Sequence, residues 1–329
     1  MLLTSHADAA RRVSGGGLNV IEDVHLDAVG LQMLRVAVPD GSSEREVIEK
    51  LRTLDPSGVA TYNHLYEPAR GASAPATEVP ASRRSSGKPL NAKIGLVDAG
   101  IDSNHPLLKE VHISAHAFGP EGQNNSHGTA VASRLADAAP GATIVAADVF
   151  TMTEDGQELA TAESIIQGLD WLAKQKVPVI NLSLTGPANP ILEAMAARMC
   201  TLGYVLVAAV GNEGPRGAPQ YPAAYNDVVG VTAVDAQNHV YIYANQGDYV
   251  DFAASGVDTP VANSKGSVVK VSGTSYAAPI VTAALARMID APDRKRAEAA
   301  LTSLKSDALD AGAPGRDPVF GYGIIHSPE

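Results

Sequence analysis

The chain contains a single cysteine, Cys200, in 329 residues. That excludes an intrachain disulfide framework and any site built from several thiolates. The setting of Cys200, LEAMAARMCTLGYVLV, reads as a helix end packed in a core, so a buried, structural thiol is expected. Positive charge is also scarce: 25 Lys and Arg against 36 Asp and Glu give a formal charge of −11. Nucleic acid or an anionic membrane as the main partner would need clustered Lys and Arg, so neither is expected. No apolar stretch reaches membrane-spanning length, and the opening MLLTSHADAARR has no hydrophobic run of the kind a secretory signal needs. The expectation is a chain that stays inside the cell, or one whose export signal has been removed. HExxH, Walker-A and dinucleotide glycine patterns are absent too, so no cofactor and no metal ligands are expected.

What remains is a globular composition, 45% apolar with 21 prolines, and long enough for a sizeable core plus a smaller second unit. Residues 1–17 are small and polar and end in Gly15-Gly16-Gly17, which reads as a loose leader. Residues 18–67 carry a strand over Leu31–Val38, a capping box at Ser43-Glu44-Arg45-Glu46 opening a helix to Leu54, and a second strand over Val59–Tyr66. Residues 68–90 are rich in Ala, Ser, Pro, Arg and Gly, with too few large apolar side chains to bury, and read as an exposed linker. From residue 91 to 329 the pattern changes. Apolar strands near 92–98, 143–150, 177–184, 204–210 and 228–234 are separated by helices near 127–137, 160–175, 188–201 and 274–290. Continuous apolar strands alternating with helices predict an α/β fold with a mostly parallel sheet between helical layers. Ligands of such sheets sit beyond the carboxyl ends of the strands.

The stretch Val271–Ala286, VSGTSYAAPIVTAALA, delivers the hydroxyl of Ser275 to what reads as the first turn of a buried, small-sided helix. Gly-Thr-Ser before a helix fits an ordinary N-cap. It equally fits a nucleophile, whose developing negative charge suits a helix amino end. A serine nucleophile requires a base and a carboxylate to orient that base. The strand AKIGLVD ends in Asp98, a position compatible with a turn residue, a metal ligand, a phosphate acceptor or the orienting acid. His127 in SHGTAVAS opens the following helix. The order Asp98, His127, Ser275 is one of the chain orders in which this triad occurs.

Asp98 in LVDAGID, His127 in SHGTAVAS, Asn212 in AAVGNEGP and Ser275 in SGTSYAAP resemble the four signature blocks of the subtilisin-like serine peptidases, in that family's order. The resemblance runs from about residue 91 to the carboxyl terminus, where Gly321-Tyr322-Gly323 is similar to the family's closing motif. It implies a three-layer subtilisin-like fold and an endopeptidase acting on protein or peptide substrates. Ser275 would attack the carbonyl, His127 would relay the proton and Asp98 would hold the imidazole. The Asn212 side chain and the Ser275 backbone N–H would bind the oxyanion.

Residues 18–67 resemble the family's propeptide, which implies a proform in which this unit assists folding and inhibits in cis, with self-cleavage falling between Tyr66 and Asn91. Ser183, Leu184, Thr185 and Gly186 resemble the edge segment that pairs with substrate. Ala208, Ala209 and Val210, with Gln220 near the floor, would line the pocket for the residue before the cut. Thr185 and Gln220 depart from the family's usual choices and predict a narrower, more polar pocket with reduced activity on large aromatic residues. Ile280, Ala130 and Tyr276 depart as well, and RLADAAPGATI lacks the family's long calcium loop, so no calcium is expected there. A non-catalytic peptide-binding protein on the same fold and a dedicated processing peptidase for one precursor are the alternatives.

Overall fold

The computed structural model describes residues 1–71, 77–79, 89–119 and 125–327. The chain begins with a small unit made of β1 (Leu2–Thr4), α1 (Ala9–Gly15), β2 (Val20–Leu26), β3 (Leu31–Val36), α2 (Glu44–Leu54) and β4 (Val59–Ala60). Its strands form an antiparallel sheet in the order β2-β3-β1-β4. Helix α2 starts where the capping box predicts: Glu46 N–H donates to Ser43 Oγ at 3.3 Å, and Ser43 N–H donates to Glu46 Oε2 at 2.8 Å.

The loose leader expected over 1–17 is a correction, because this segment supplies an inner strand and a helix of the sheet unit. The physical reason is alternation. Leu2 faces a core with Ala9, Val13, Leu34, Val47, Ile48 and Leu51 beneath α1 and α2, while Met1 and Leu3 face the other way, into the core of the second unit. Three apolar residues thus serve two cores, a pattern hidden by the polar and small residues after them.

Along the chain come β5 (Leu65–Pro68), β6 (Thr77–Val79), β7 (Lys93–Asp98), β8 (Ile113–Ala117), α3 (Ser126–Ala138), β9 (Thr143–Asp148), β10 (Phe150–Met152), β11 (Glu158–Thr161), α4 (Ala162–Lys174), β12 (Val179–Leu182), β13 (Leu184–Thr185), α5 (Pro190–Thr201), β14 (Val205–Ala209), β15 (Val228–Val234), β16 (Phe252–Ser255), β17 (Thr259–Ala262), β18 (Val268–Val271), α6 (Ala278–Ala286), α7 (Arg294–Asp307) and β19 (Ile324–Ile325). The main sheet has the order β19-β16-β15-β14-β12-β7-β9-β8, and its neighbours run parallel. Successive side chains leave opposite faces of each strand. Ile94, Leu96, Val179 and Val207 pack with α3, α6 and α7, whereas Val97, Ile180, Leu182, Leu206 and Ala208 pack with α4 and α5. This is the layered α/β fold expected, and the small unit lies against the α4–α5 side through Leu26, Val29 and Met33.

The strand expected over 59–66 divides. Its first part, β4, closes the small sheet, but β5 leaves it and enters the larger unit, pairing antiparallel with β11 and β13. Most of the linker expected at 68–90 lies outside the described residues, while Thr77–Val79 pairs with β18. Cys200, near the end of α5, is partly buried. Its thiol donates to Asp227 O at 2.9 Å, and burial pushes it up to about 12. Among the described residues no helix is long and apolar enough to cross a membrane.

Candidate active site

The carboxyl ends of β7, β12 and β14 meet the turn before α6, and the residues singled out in the sequence gather there. Asp98 is the last residue of β7. Its Oδ1 accepts the N–H of Ala99 at 2.7 Å and lies 2.8 Å from His127 Nδ1. In the neutral ring that second bond places the proton on Nδ1 and leaves Nε2 to accept. Both side chains are almost fully buried, and among the described residues neither Asp98 Oδ2 nor His127 Nε2 has a hydrogen-bond partner.

His127 is placed by the close approach of α3 to the turn after β7. A Cβ on Gly128 would lie 2.1 Å from Ala99 O and 2.5 Å from Gly100 O, so this helix can seat itself over the turn only with glycine at that position. Asp102 N–H donates to Thr129 Oγ1 at 2.9 Å and ties the same turn to the helix one residue further on. His105, the other histidine nearby, is buried, accepts the Leu107 N–H at 3.1 Å and sits 3.1 Å from Ser267 O, a structural arrangement.

Ser275 does not occupy the first turn of the α-helix as expected. It lies in a 3₁₀ turn, Thr274–Tyr276, and α6 begins only at Ala278. Tyr276 N–H bonds Gly273 O and Ala277 N–H bonds Thr274 O, both at 3.1 Å, so the segment is wound three residues to the bond before the wider helix starts. The Thr274 amide is taken instead by Asn212 Oδ1 at 3.0 Å. A bond at that oxygen fixes which end of the amide is which and points Asn212 Nδ2 into the cleft. From below, Ser183 Oγ donates to Ser275 O at 3.2 Å. Ser183 in turn receives a bond from Asn181, which Thr282 of α6 also contacts. These residues are buried, and the network joins β12 to α6 under the serine.

The cleft between β11 and β13 is filled by the chain itself. Tyr66 pairs with Ala160, Glu67 with Thr185 and Pro68 with Leu184, so β5 is a strand added between two edges. Tyr66 is fully buried, stacks on the bare backbone of Gly186 and donates its hydroxyl to Pro187 O at 3.0 Å. Next in line, Ala69 donates its N–H to Ser183 O at 3.1 Å. Its carbonyl oxygen accepts from Asn212 Nδ2 at 2.8 Å and from Ser275 Oγ at 2.5 Å. The backbone N–H of Ser275, expected beside Asn212, makes no bond to that oxygen; the hydroxyl stands there. Ala208, Ala209 and Val210 are fully buried at the end of β14. Gln220 turns its amide to Ala218 O at 3.2 Å.

Two carboxyls near this centre, Asp148 partly buried and Glu158 buried, carry no sequence signal. Asp148, paired with Asp98 across β7 and β9, is pushed up to about 6 by burial, with the Asp98 charge adding to the rise. Glu158 in β11 contacts Arg70, and burial raises it as well. Only their positions at strand ends beside the cleft mark them, and strand registers are not written in composition. Among the described residues no group of three or more His, Cys, Asp or Glu could hold a metal ion.

The chain is similar to known proteins. The Peptidase_S8 model of the subtilase family matches residues 90–323. The minor extracellular protease Epr of Bacillus subtilis (strain 168) is 30% identical over 246 residues, 71% of this chain and 38% of that protein. Subtilisin DY of Bacillus licheniformis is 30% identical over 256 residues, 73% of this chain and 90% of its own. The major intracellular serine protease of B. subtilis is 34% identical over 218 residues, 60% of this chain and 68% of that protein. Among solved structures, fervidolysin from Fervidobacterium pennivorans superposes with a TM-score of 0.75 at 19% identity, over 99% of this chain and 59% of its own. A lanthipeptide protease superposes with a TM-score of 0.62 at 24% identity, over 71% of this chain and 85% of its own. The chain belongs to the subtilase family of serine peptidases.

Proposed function

We propose that the protein is a serine endopeptidase made as a proform, and that its first substrate is its own Ala69–Arg70 bond. In this reading Ser275 is the nucleophile, His127 the base that takes its proton through Nε2, and Asp98 the carboxylate that orients the ring and stabilises the imidazolium. The carbonyl oxygen of the residue being cut gains negative charge as Ser275 Oγ adds to the carbonyl carbon. Asn212, whose Oδ1 accepts the Thr274 N–H, aims its Nδ2 at that oxygen. The C–N bond then breaks, His127 returns its proton to the leaving amine, and water releases the acyl group by the same steps.

The single observation that carries the reading is the station of Ala69. Its N–H is on Ser183 O and its carbonyl oxygen lies between Asn212 and Ser275, at the end of a strand inserted between two cleft edges. For the first step the Ser275 hydroxyl must turn from Ala69 O to the unpartnered His127 Nε2. Residues 1–69 would then act as an inhibitor in cis, because strand β5 excludes any other peptide from the same edges. A small residue before the cut agrees with a restricted pocket beside Gln220. Ser183–Gly186 and Ala208–Val210 take the roles of pairing edge and pocket wall.

The test is intact-mass analysis of the purified full chain beside Ser275→Ala. The wild type should yield one fragment ending at Ala69 and one beginning at Arg70, and should react with a fluorophosphonate probe at Ser275. The variant should stay whole and unlabelled. Equal integrity of the two proteins, with no labelling of either, would refute the reading and favour a peptide-binding protein.

A further inference from the structure

The residue after Ala69 makes a contact that hydrolysis itself does not need. Glu158 lies on β11, two positions beyond the Ala160–Tyr66 pair and so opposite the chain at Pro68. Its side chain is 4% exposed, and its Oε2 is held by Arg70 Nη2 in an ion pair. Among the described residues its other oxygen has no hydrogen-bond partner. A carboxylate buried this far from water needs a cation beside it. The other charges that reach it are mixed, since Asp98 and Asp148 oppose its ionisation and His127 favours it. Among the described residues Arg70 is the cation in direct contact. It arrives there because the chain bends at the bond to be cut: Arg70 N–H donates to Pro68 O at 2.7 Å, closing a three-residue turn that carries the guanidinium back over β11. One residue further on, Gly71 lies against the backbone that leads into the 3₁₀ turn. A Cβ there would come within 1.7 Å of Ser272 O. That oxygen is backbone and not a flexible side-chain end, so this position accepts only glycine without moving the cleft wall.

We propose that this cleft selects its substrates on the leaving side of the bond, with Glu158 reading an arginine or lysine immediately after the cut and Ser272 O enforcing a glycine after that. The substrate class is therefore a peptide with a small residue before the cut and a basic residue and glycine behind it, of which Ala69-Arg70-Gly71 is the built-in example. This rests on the endopeptidase reading above and sharpens it. Once the bond is hydrolysed, the guanidinium of the leaving segment still lies beside the Glu158 carboxylate. Selection and product retention therefore draw on the same contact.

The experiment uses internally quenched peptides with the sequence of residues 65–74, carrying Arg, Lys, Ala or Glu at the position of Arg70, and one carrying Ala at the position of Gly71. Specificity constants are measured with full-chain wild type after self-cleavage and with Glu158→Gln, and only ratios within one preparation are compared. Because Arg70 is half exposed while its partner is buried, the wild type should favour the Arg peptide over the Ala peptide by roughly tenfold, and Glu should fall lower still. In Glu158→Gln the Arg-to-Ala ratio should shrink to within about threefold. The Gly-to-Ala peptide should lose at least about tenfold with both proteins. An Arg-to-Ala ratio near one in the wild type, or an undiminished ratio in Glu158→Gln, overturns the proposal; should the variant fail to fold, the wild-type ratio decides alone. A protein labelled by fluorophosphonate that cuts none of the peptides also overturns it while leaving the nucleophile assignment standing. A protein that neither labels nor cuts overturns the endopeptidase reading and this inference together.

Discussion

Gly128→Ala is the smallest change that separates a helix from the acid it must face. Two effects of opposite sign compete. Alanine in place of glycine inside a helix favours the helix by about 1 kcal/mol. Against this, the new Cβ would meet Ala99 O at 2.1 Å and Gly100 O at 2.5 Å. Cβ atoms essentially never approach closer than 3.0 Å, so α3 and the turn after β7 must part by about 0.9 Å at this point. Both obstructing atoms are backbone, held by β7 on one side and by the Asp102–Thr129 bond on the other, so relief by a side-chain rotation is not open. Overpacking of this kind destabilises by about 1–3 kcal/mol, which outweighs the helix gain. The effect on catalysis should exceed the effect on stability. The 2.8 Å bond between His127 and Asp98 spans the same gap, and misplacement of a catalytic group by about 1 Å lowers rates by about 10²-fold. The rate of self-cleavage, measured by intact mass, should therefore drop about a hundredfold. The unfolding midpoint, measured in a Ser275→Ala background so that no cleavage intervenes, should fall by only a few degrees. Self-cleavage within twofold of wild type would refute the claim that close helix approach positions the imidazole.

Single contacts set the other expectations. Asn212→Ala removes the 2.8 Å donor to Ala69 O and should slow self-cleavage by about 10²–10³, the loss found for such a donor in subtilisin; an unchanged rate would assign the oxyanion to other groups. Asp170→Ala should loosen the hold on the amino-terminal unit, because its buried carboxylate accepts the Ala28 N–H at 3.0 Å and the Lys174 ammonium at 2.9 Å. After cleavage, residues 1–69 should dissociate roughly tenfold more readily, as read by size-exclusion or surface binding; equal retention would mean this contact contributes nothing to docking. For Asp148 the sign is set by a raised value. Folded it titrates near 6 against 3.8 unfolded, so it is neutral in both states at low pH, and folding stability falls as pH rises from about 4 to about 6. Asp148→Asn should thus stabilise the Ser275→Ala chain by on the order of 2 kcal/mol at pH 8 and by almost nothing near pH 3 in denaturant titrations; the same gain at both pH values would remove Asp148 as the titrating group.

The residues legible in the sequence are those whose chemistry admits few substitutes. A hydroxyl before a small-sided helix, an imidazole before Gly-Thr-Ala, an acid at the end of an apolar strand and an amide in a glycine turn are visible as residue types. The parallel sheet is visible as apolar runs between helical periods. The station of Ser275 is not visible, because the bonds that wind 274–276 into a 3₁₀ turn depend on Asn212, 62 residues away, taking the Thr274 amide. Strands β16, β17 and β18 escape because FAAS, TPVA and VVKV are too short or too small-sided to declare a period. The largest misreading, the leader at 1–17, comes from weighing composition over alternation. Ala69 and Glu158 are invisible for a different reason: their meaning comes from a register between β5, β11 and β13 that joins positions about 90 to 120 residues apart.

That register also governs the state of the protein after cleavage. Hydrolysis of Ala69–Arg70 severs none of the contacts that hold residues 1–69 in place. Strand β5 keeps its pairs with β11 and β13, and Tyr66 keeps its buried seat on Gly186. The small unit keeps Arg198 Nε on Val29 O at 2.8 Å, Asp170 on Ala28 N–H, Lys174 beside Asp27 at 3.6 Å and Arg35 beside Glu163 at 3.1 Å. Connectivity is the thing that changes. Before the cut these contacts form at the effective concentration of a tethered segment, and afterwards at that of a free fragment. On the proposed reading, then, cleavage does not by itself open the cleft; it makes occupancy depend on dilution. Activity in a freshly cut preparation should rise with dilution or with proteolysis of the released fragment. A preparation whose specific activity is independent of dilution after complete cleavage would show that residues 1–69 leave as soon as the bond breaks.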